Sequence, residues 1–349
     1  MSFFKREFSI AVVRFSFQPF IWGRMKLLYF KNSIFALTLL FAILHCPHIF
    51  AQAYPDRSVK LIAAFPPGGG ADILGRIMAQ KFSDIWGVSM FVENKTGASG
   101  NIGSDFVAKS VPDGYTLLIS PNGLTINPNV MKDLPFDVTK DLIPIGMIAT
   151  SPLVLVVKST VPVKTLADLI AYAKSAPDQL NFGSTGAGTS QHLAGELINL
   201  TAGIKTVHVP YRSGAAVNQA LLAGELQIGY VSYTSVEPFV RDGRFRLIAT
   251  LSGTRDPTLP DLPTLAEAGL PGCEVDIWYA LLAPGKTPQK LIRQLNVDLK
   301  RILDAPGMKN HLAQRGFNSF FTTPEAMTEV IRKDLARWKL VTERIGLKQ

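Results

Sequence analysis

Cysteine is nearly missing from this chain: two residues in 349, Cys46 and Cys273. That excludes a disulfide-stapled scaffold and the thiolate zinc sites that need paired cysteines. Histidine is scarce as well. Beyond residue 53 only His192, His208 and His311 remain, none spaced i,i+4, so no metal site is expected. Charged residues make up 18% of the chain, below the roughly 25% of an average domain. No internal repeat or low-complexity tract is present, and no apolar run beyond residue 53 is long enough to span a bilayer. With 47% apolar residues, the chain is long enough for two domains with full cores.

The net charge of +9 is mostly an N-terminal feature. Residues 1–53 carry six of the 36 basic residues and one of the 27 acidic ones, which leaves 30 against 26 in the rest. Basic clusters such as Arg241 to Arg246 are brief and interrupted, so no nucleic-acid surface is expected. From Met25 the sequence runs through Lys26 and Lys31 to an eleven-residue apolar stretch at 34–44, then Ala51-Gln52-Ala53. A basic start, a short apolar middle and an A-x-A end make a secretory signal peptide. The expectation is a true start at Met25, with residues 1–24 a spurious extension, cleavage after Ala53, and an exported mature chain. His45 stands where lipid-attachment motifs place a small residue, which argues against a lipid anchor at Cys46.

Past residue 53, short apolar runs alternate with helix-period segments. Strands are expected at 59–65, 90–93, 115–120, 180–183, 206–209, 226–231 and 245–251, and helices at 73–85, 102–109, 166–174, 190–200 and 215–223. This is an α/β pattern with mostly parallel strands. Toward the C-terminus, Thr287-Pro288 and Thr323-Pro324-Glu325 start helices over 288–304 and 324–344, with a shorter helix and no strand between. Two long extended segments, 143–157 and 275–283, lack crossover helices of their own. They read as two crossings between lobes, a first of 54–152 plus 280–349 and a second of 153–279. A pocket between lobes joined by a two-strand hinge is the expected site.

Four loops are candidates to line it. In the first, Phe65-Pro66-Pro67-Gly68-Gly69-Gly70-Ala71-Asp72, three glycines allow close backbone approach and the next helix offers free N–H groups to an anion. It is neither a phosphate-binding Walker loop nor a dinucleotide fingerprint, and no cofactor is expected. A ligand-free turn, with Asp72 only a first-turn acid, is the competing reading. The second loop holds Ser184, Gly186, Gly188, Thr189, Ser190 and His192, again glycine- and hydroxyl-rich between strand and helix. The third, 120–128, contains Asn122, Gly123 and Asn127 and reads as a polar loop at the carboxyl end of a strand. Tyr211 and Arg212 follow another strand, as do Ser232 and Tyr233.

A serine hydrolase using Ser184 or Ser190 with His192 is the rival reading. The Gly-x-Ser-x-Gly spacing fails by one position at each serine, Phe182 upstream of one and His192 downstream of the other.

Taken together, several motifs make the chain resemble the Bug-type extracytoplasmic solute receptors of tripartite tricarboxylate transporters. They are Tyr54-Pro55-Asp56-Arg57, AFPPGGGAD at 64–72, ENKTGA at 93–98 with Asn101-Ile102-Gly103, PDGYTL at 112–117 and GTSQHLAGE at 188–196. His208-Val209-Pro210-Tyr211, PDLPT at 260–264, EAGLPG at 267–272 and LLAP at 281–284 extend the match over essentially the whole chain past residue 53. The resemblance implies a two-lobed, type II-like periplasmic-binding-protein fold, a monomer and no enzymatic activity. It implies a small carboxylate held by backbone N–H groups of loops 68–72 and 184–189, and delivery to membrane permease subunits; a sensor-only receptor is the variant of this reading. Where the family often carries Phe-Asp or Phe-Ala, this chain has Tyr230-Val231-Ser232-Tyr233.

Overall fold

A computed structural model describes residues 54–347, apart from 178, 257 and 258. The expected signal peptide, the start at Met25 and Cys46 lie outside the described residues. The chain begins with short apolar strands, each followed by a helix: β1 (Val59–Ala63), α1 (Gly70–Trp86), β2 (Met90–Asn94), α2 (Asn101–Ala108), β3 (Thr116–Pro121) and α3 (Gly123–Val130). The long β4 (Leu142–Lys158) leads to α4 (Leu166–Ser175), β5 (Asn181–Ser184), α5 (Ser190–Ala202), β6 (Val207–Pro210) and α6 (Gly214–Ala223). There follow β7 (Ile228–Ser232), α7 (Tyr233–Arg241), β8 (Phe245–Thr250) and β9 (Asp276–Pro284). Last come α8 (Gln289–Leu303), α9 (Met308–Ala313), β10 (Asn318–Ser319) and α10 (Pro324–Arg344).

The strands run in the order β2-β1-β3-β9-β4-β7-β5-β6, with β8 and β10 also paired to β4. β1 is parallel to β2 and β3, and β5 to β6 and β7, the strands that carry crossover helices. Every pairing of β4 or β9 is antiparallel, which corrects the mostly parallel expectation. β9 lies between β3 and β4 and runs antiparallel to both. β4 pairs with β9 over Leu142 to Pro152 and with β7 over Leu153 to Val157, so one strand serves both halves of the sheet. Its near-continuous apolar sequence follows from that placement. One core cluster takes Leu142 and Met147 from β4 with Ile62, Leu118, Trp278 and Met327; a second takes Val154 and Val156 with Val217, Leu221 and Phe245. From Pro55 onward the chain clusters as one compact unit.

Helix starts follow local chemistry. The Thr165 hydroxyl accepts the Asp168 N–H while the Asp168 carboxylate accepts the Thr165 N–H, a capping box opening α4. Thr323 caps α10 through the Ala326 N–H, with Pro324 in the first turn.

Three further expectations fail. Residues 123–130 are helical rather than a loop, although Pro128 lies inside: Leu124, Ile126 and Val130 are buried, and Thr125 and Asn129 hydrogen-bond to Asp334 and the Leu335 carbonyl of α10. Tertiary packing there outweighs the turn-forming Asn-Gly and Pro signals. Residues 233–241 form an unforeseen helix. The C-terminal region does hold a strand, the two-residue β10 on β4 at Ala149 and Thr150.

Candidate functional site

The strand-to-helix loops converge on a cavity of about 490 Å³. One wall is Phe65 to Ala71, between β1 and α1, together with Pro121, Asn122 and Gly123 at the end of β3. The facing wall is Ser184, Thr185, Thr189, Ser190 and Gln191, between β5 and α5, with the start of α6 and the end of β7 beside it. Tyr279 and Phe317, whose rings meet edge to face at 5.6 Å, close the floor.

The first loop is shaped from beneath. Gly68, at φ +79°, donates its N–H to Asp72 Oδ2 at 2.9 Å; Asp72 also pairs with Arg76 at 2.9 Å and accepts from Asn94 Nδ2 at 3.0 Å. Burial pushes the Asp72 carboxyl up, but the bonds from Arg76, Gly68 and Asn94 together hold it below its ordinary value. It is a charged strut for the loop, and it does not line the cavity. Gly70 is fixed by crowding: a Cβ there would sit 2.7 Å from Cζ of the buried Tyr279. The Gly70 and Ala71 N–H groups belong to the first turn of α1, where no intrahelical acceptor exists, and both residues face the cavity.

The second loop rests on two histidines. Ser184 Oγ lies 2.6 Å from His208 Nε2, and it accepts the Gly186 N–H at 3.1 Å. The Gly188 N–H donates to His192 Nδ1 at 3.2 Å, and the imidazoles stack at 3.9 Å between centroids. Burial, with the neighbouring His208, pulls His192 down to about 3, and burial pulls His208 down to about 4. Both rings are neutral near pH 7. His192 Nε2 lies 3.8 Å from Glu196, whose carboxyl is raised by burial.

This arrangement does not form the pairing of the hydrolase reading. Ser184 is joined to His208, and Ser190 Oγ donates to Asn122 Oδ1 at 2.6 Å, while His192 is engaged by Gly188. The Ser190–Asn122 bond and a second from Ser99 Oγ to the Ala187 carbonyl at 2.6 Å tie the two loop systems together.

Of the residues singled out from the sequence, Phe65, Pro67, Gly68, Gly69, Gly70, Asn122, Gly123, Ser184, Thr189 and Ser232 are brought together around the cavity, as is Arg212. Asp72, Asn127, Gly186, Gly188, His192, Tyr211 and Tyr233 are not among its lining. Asn127 is buried against Asn101 and the Ser99 carbonyl, directly behind Gly188, and Tyr211 donates its hydroxyl to Glu225. Sequence reading missed Asn218, Tyr230, Tyr279, Arg315 and Phe317. Asn218 had a signal, a lone amide on the buried side of an apolar helix; its Nδ2 donates to the Ser235 carbonyl and its Oδ1 has no protein partner. Tyr279 was hidden inside an apolar strand, and Arg315 in the turn just after α9.

Known proteins resemble this chain over most of its length. Residues 74–347 match the family described as tripartite tricarboxylate transporter family receptor. A UPF0065 protein from the tcbD-tcbE intergenic region of Pseudomonas sp. is 36% identical over 84% of this chain and 88% of its own length. Protein BugT of Bordetella pertussis is 33% identical over 86% and 93%. Among solved structures, R. palustris Rpa4515 with adipate superposes with TM-score 0.80 at 33% identity, covering 84% of this chain and 98% of that one. MatC from Rhodopseudomonas palustris with bound malate gives 0.76 at 27%, covering 82% and 99%. The chain belongs to the tripartite tricarboxylate transporter receptor family.

Proposed function

We propose that this chain is a periplasmic solute receptor that captures a small carboxylate in the cavity between its two loop systems and hands it to a tripartite membrane permease. The observation that carries the reading is the pair of facing strand-to-helix loops, 65–71 and 184–191, both polar or glycine-rich and both ending on a helix start that lines one cavity. Backbone N–H groups and small hydroxyls there bind an oxyanion without burying a cation. The structures with adipate and malate bound, both similar to this chain, support a carboxylate as the solute. Residues 54–152 plus 280–349 and residues 153–279 act as the two lobes, with β4 changing partner from β9 to β7 at the boundary. Their closure excludes water from the loops and strengthens the hydrogen bonds to the ligand. Export through the N-terminal segment and action as a monomer complete the reading.

The test is thermal unfolding of the purified chain across mono-, di- and tricarboxylates. A true ligand at about 100 times its dissociation constant adds about 2.7 kcal/mol and raises the midpoint by several degrees. A panel in which no carboxylate moves the midpoint would contradict the proposal.

A further inference from the structure

Among the described residues, two that are not glycine have positive φ: Ala98 at +46° and Ser99 at +53°. With Gly97 at +123° and Gly100 at +92° they make four successive residues of positive φ between β2 and α2. A residue with a Cβ holds that conformation at a cost, and only where its surroundings impose it. Here Asn127, buried in α3, donates its Nδ2 to the Ser99 carbonyl at 3.0 Å, and Ser104 Oγ donates to the Gly100 carbonyl at 2.9 Å. Gly100 has no room for a side chain, since a Cβ would lie 2.8 Å from the Phe65 ring.

The strained turn carries the Ser99 hydroxyl from one half of the sheet to the other. Its Oγ donates to the Ala187 carbonyl at 2.6 Å, linking the loop after β2 to the loop after β5. The halves meet tightly beside it: a Cβ on Gly188 would lie 2.7 Å from Val130 Cγ2 of α3. The other tie, Ser190 to Asn122, is made by two cavity-lining residues, where a solute competes for the same groups. Neither Ser99 nor Ala187 lines the cavity, so their bond is compatible with a filled one. We propose that Ser99 is a latch between the lobes, a positioning residue that slows opening of the cleft and so prolongs retention of a captured solute without touching it. This rests on the two-lobe receptor reading and adds a residue that controls its release step.

The experiment is amide hydrogen exchange on the full chain without solute, comparing the unmodified protein with Ser99→Gly and Ser99→Ala. Both variants lose the hydroxyl. Glycine adopts a φ of +53° without strain, so Ser99→Gly keeps the turn, and its unfolding midpoint should hold or rise. Exchange across residues 186–189 in the facing loop is expected to be about three- to tenfold faster in both variants, as for one lost hydrogen bond. A merely structural role predicts instead that Ser99→Gly, with its strain relieved, exchanges no faster. Unchanged exchange at 186–189 in Ser99→Gly would overturn the latch, as would an acceleration spread evenly over the chain. With adipate and malate as probes, stopped-flow displacement should show release faster by the same factor. Unchanged release of an acid that binds the unmodified chain would also overturn the latch. If no carboxylate binds, the receptor reading fails while the solute-free exchange still decides the latch.

Discussion

At the scale of single residues, the site depends on positions where a side chain would be in the way. Gly70 has ordinary negative φ, so its role is clearance for the Tyr279 ring, whose phenol is pushed up by burial. Gly70→Ala should force that ring out of place at a cost of about 1–3 kcal/mol, read as a lower urea midpoint at unchanged slope. Because Tyr279 lines the cavity, ligand affinity should fall as well. Unchanged stability and affinity would show that the ring relaxes freely. The run of three glycines was legible in the sequence as a place of close approach, but the group that approaches was not, since Tyr279 lies 209 positions away in the chain and reads as an ordinary strand residue. Asp72 shows the opposite case. Its proximity to the glycines made it look like a ligand contact, yet it faces Arg76 and Asn94, as the first-turn-acid reading would have it.

At the scale of elements, the second loop is held by α5 and β6 through the stacked His192 and His208. Each has a folded-state pKa lowered from 6.5, to about 3 and about 4, by burial. Below pH 6.5 the unfolded chain therefore binds more protons than the folded one. The stabilisation from keeping the rings neutral is full above about pH 6.5 and is lost as pH falls toward 4, by up to about 1.4 kcal/mol per pH unit for each ring. Urea unfolding between pH 7 and 5 should show this slope. His208→Gln, which keeps a hydrogen-bonding partner for Ser184 but cannot titrate, should make it roughly half as steep. An identical slope in the variant would remove the pair as its source. Glu196, beside His192 and with its carboxyl raised by burial, is the control to vary next. Most element boundaries could be read from apolar runs and helix period. What could not were α3 and α7, each with a proline inside and turn-forming residues at its start, which owe their helicity to packing against the rest of the chain. β10 is only two residues long, below what any sequence period can register.

At the scale of the whole molecule, the two extended runs at 143–157 and 275–283 carried the architectural information. A strand of 17 residues can reach across two halves of a sheet, and β4 does so. The same runs could not report strand direction, since an apolar sequence is compatible with either sense. The cavity was legible as the meeting point of strand-to-helix loops. Its charge was only half legible: Arg212 was singled out after β6, but Arg315, 103 positions on, has no motif around it that separates a cavity guanidinium from a surface one. The central claim, that a carboxylate binds between the loops, is tested most directly by filling the space with a side chain. Gly69 lines the cavity at the N-cap of α1. Calorimetric titration of Gly69→Trp, beside the unmodified chain and with the carboxylate that raises its unfolding midpoint, makes the comparison. The expected result is one site per chain in the unmodified protein and at least a 100-fold loss of affinity in the variant, with the ligand-free midpoint nearly unchanged. Retained affinity in a folded Gly69→Trp chain would place the carboxylate elsewhere and contradict the site.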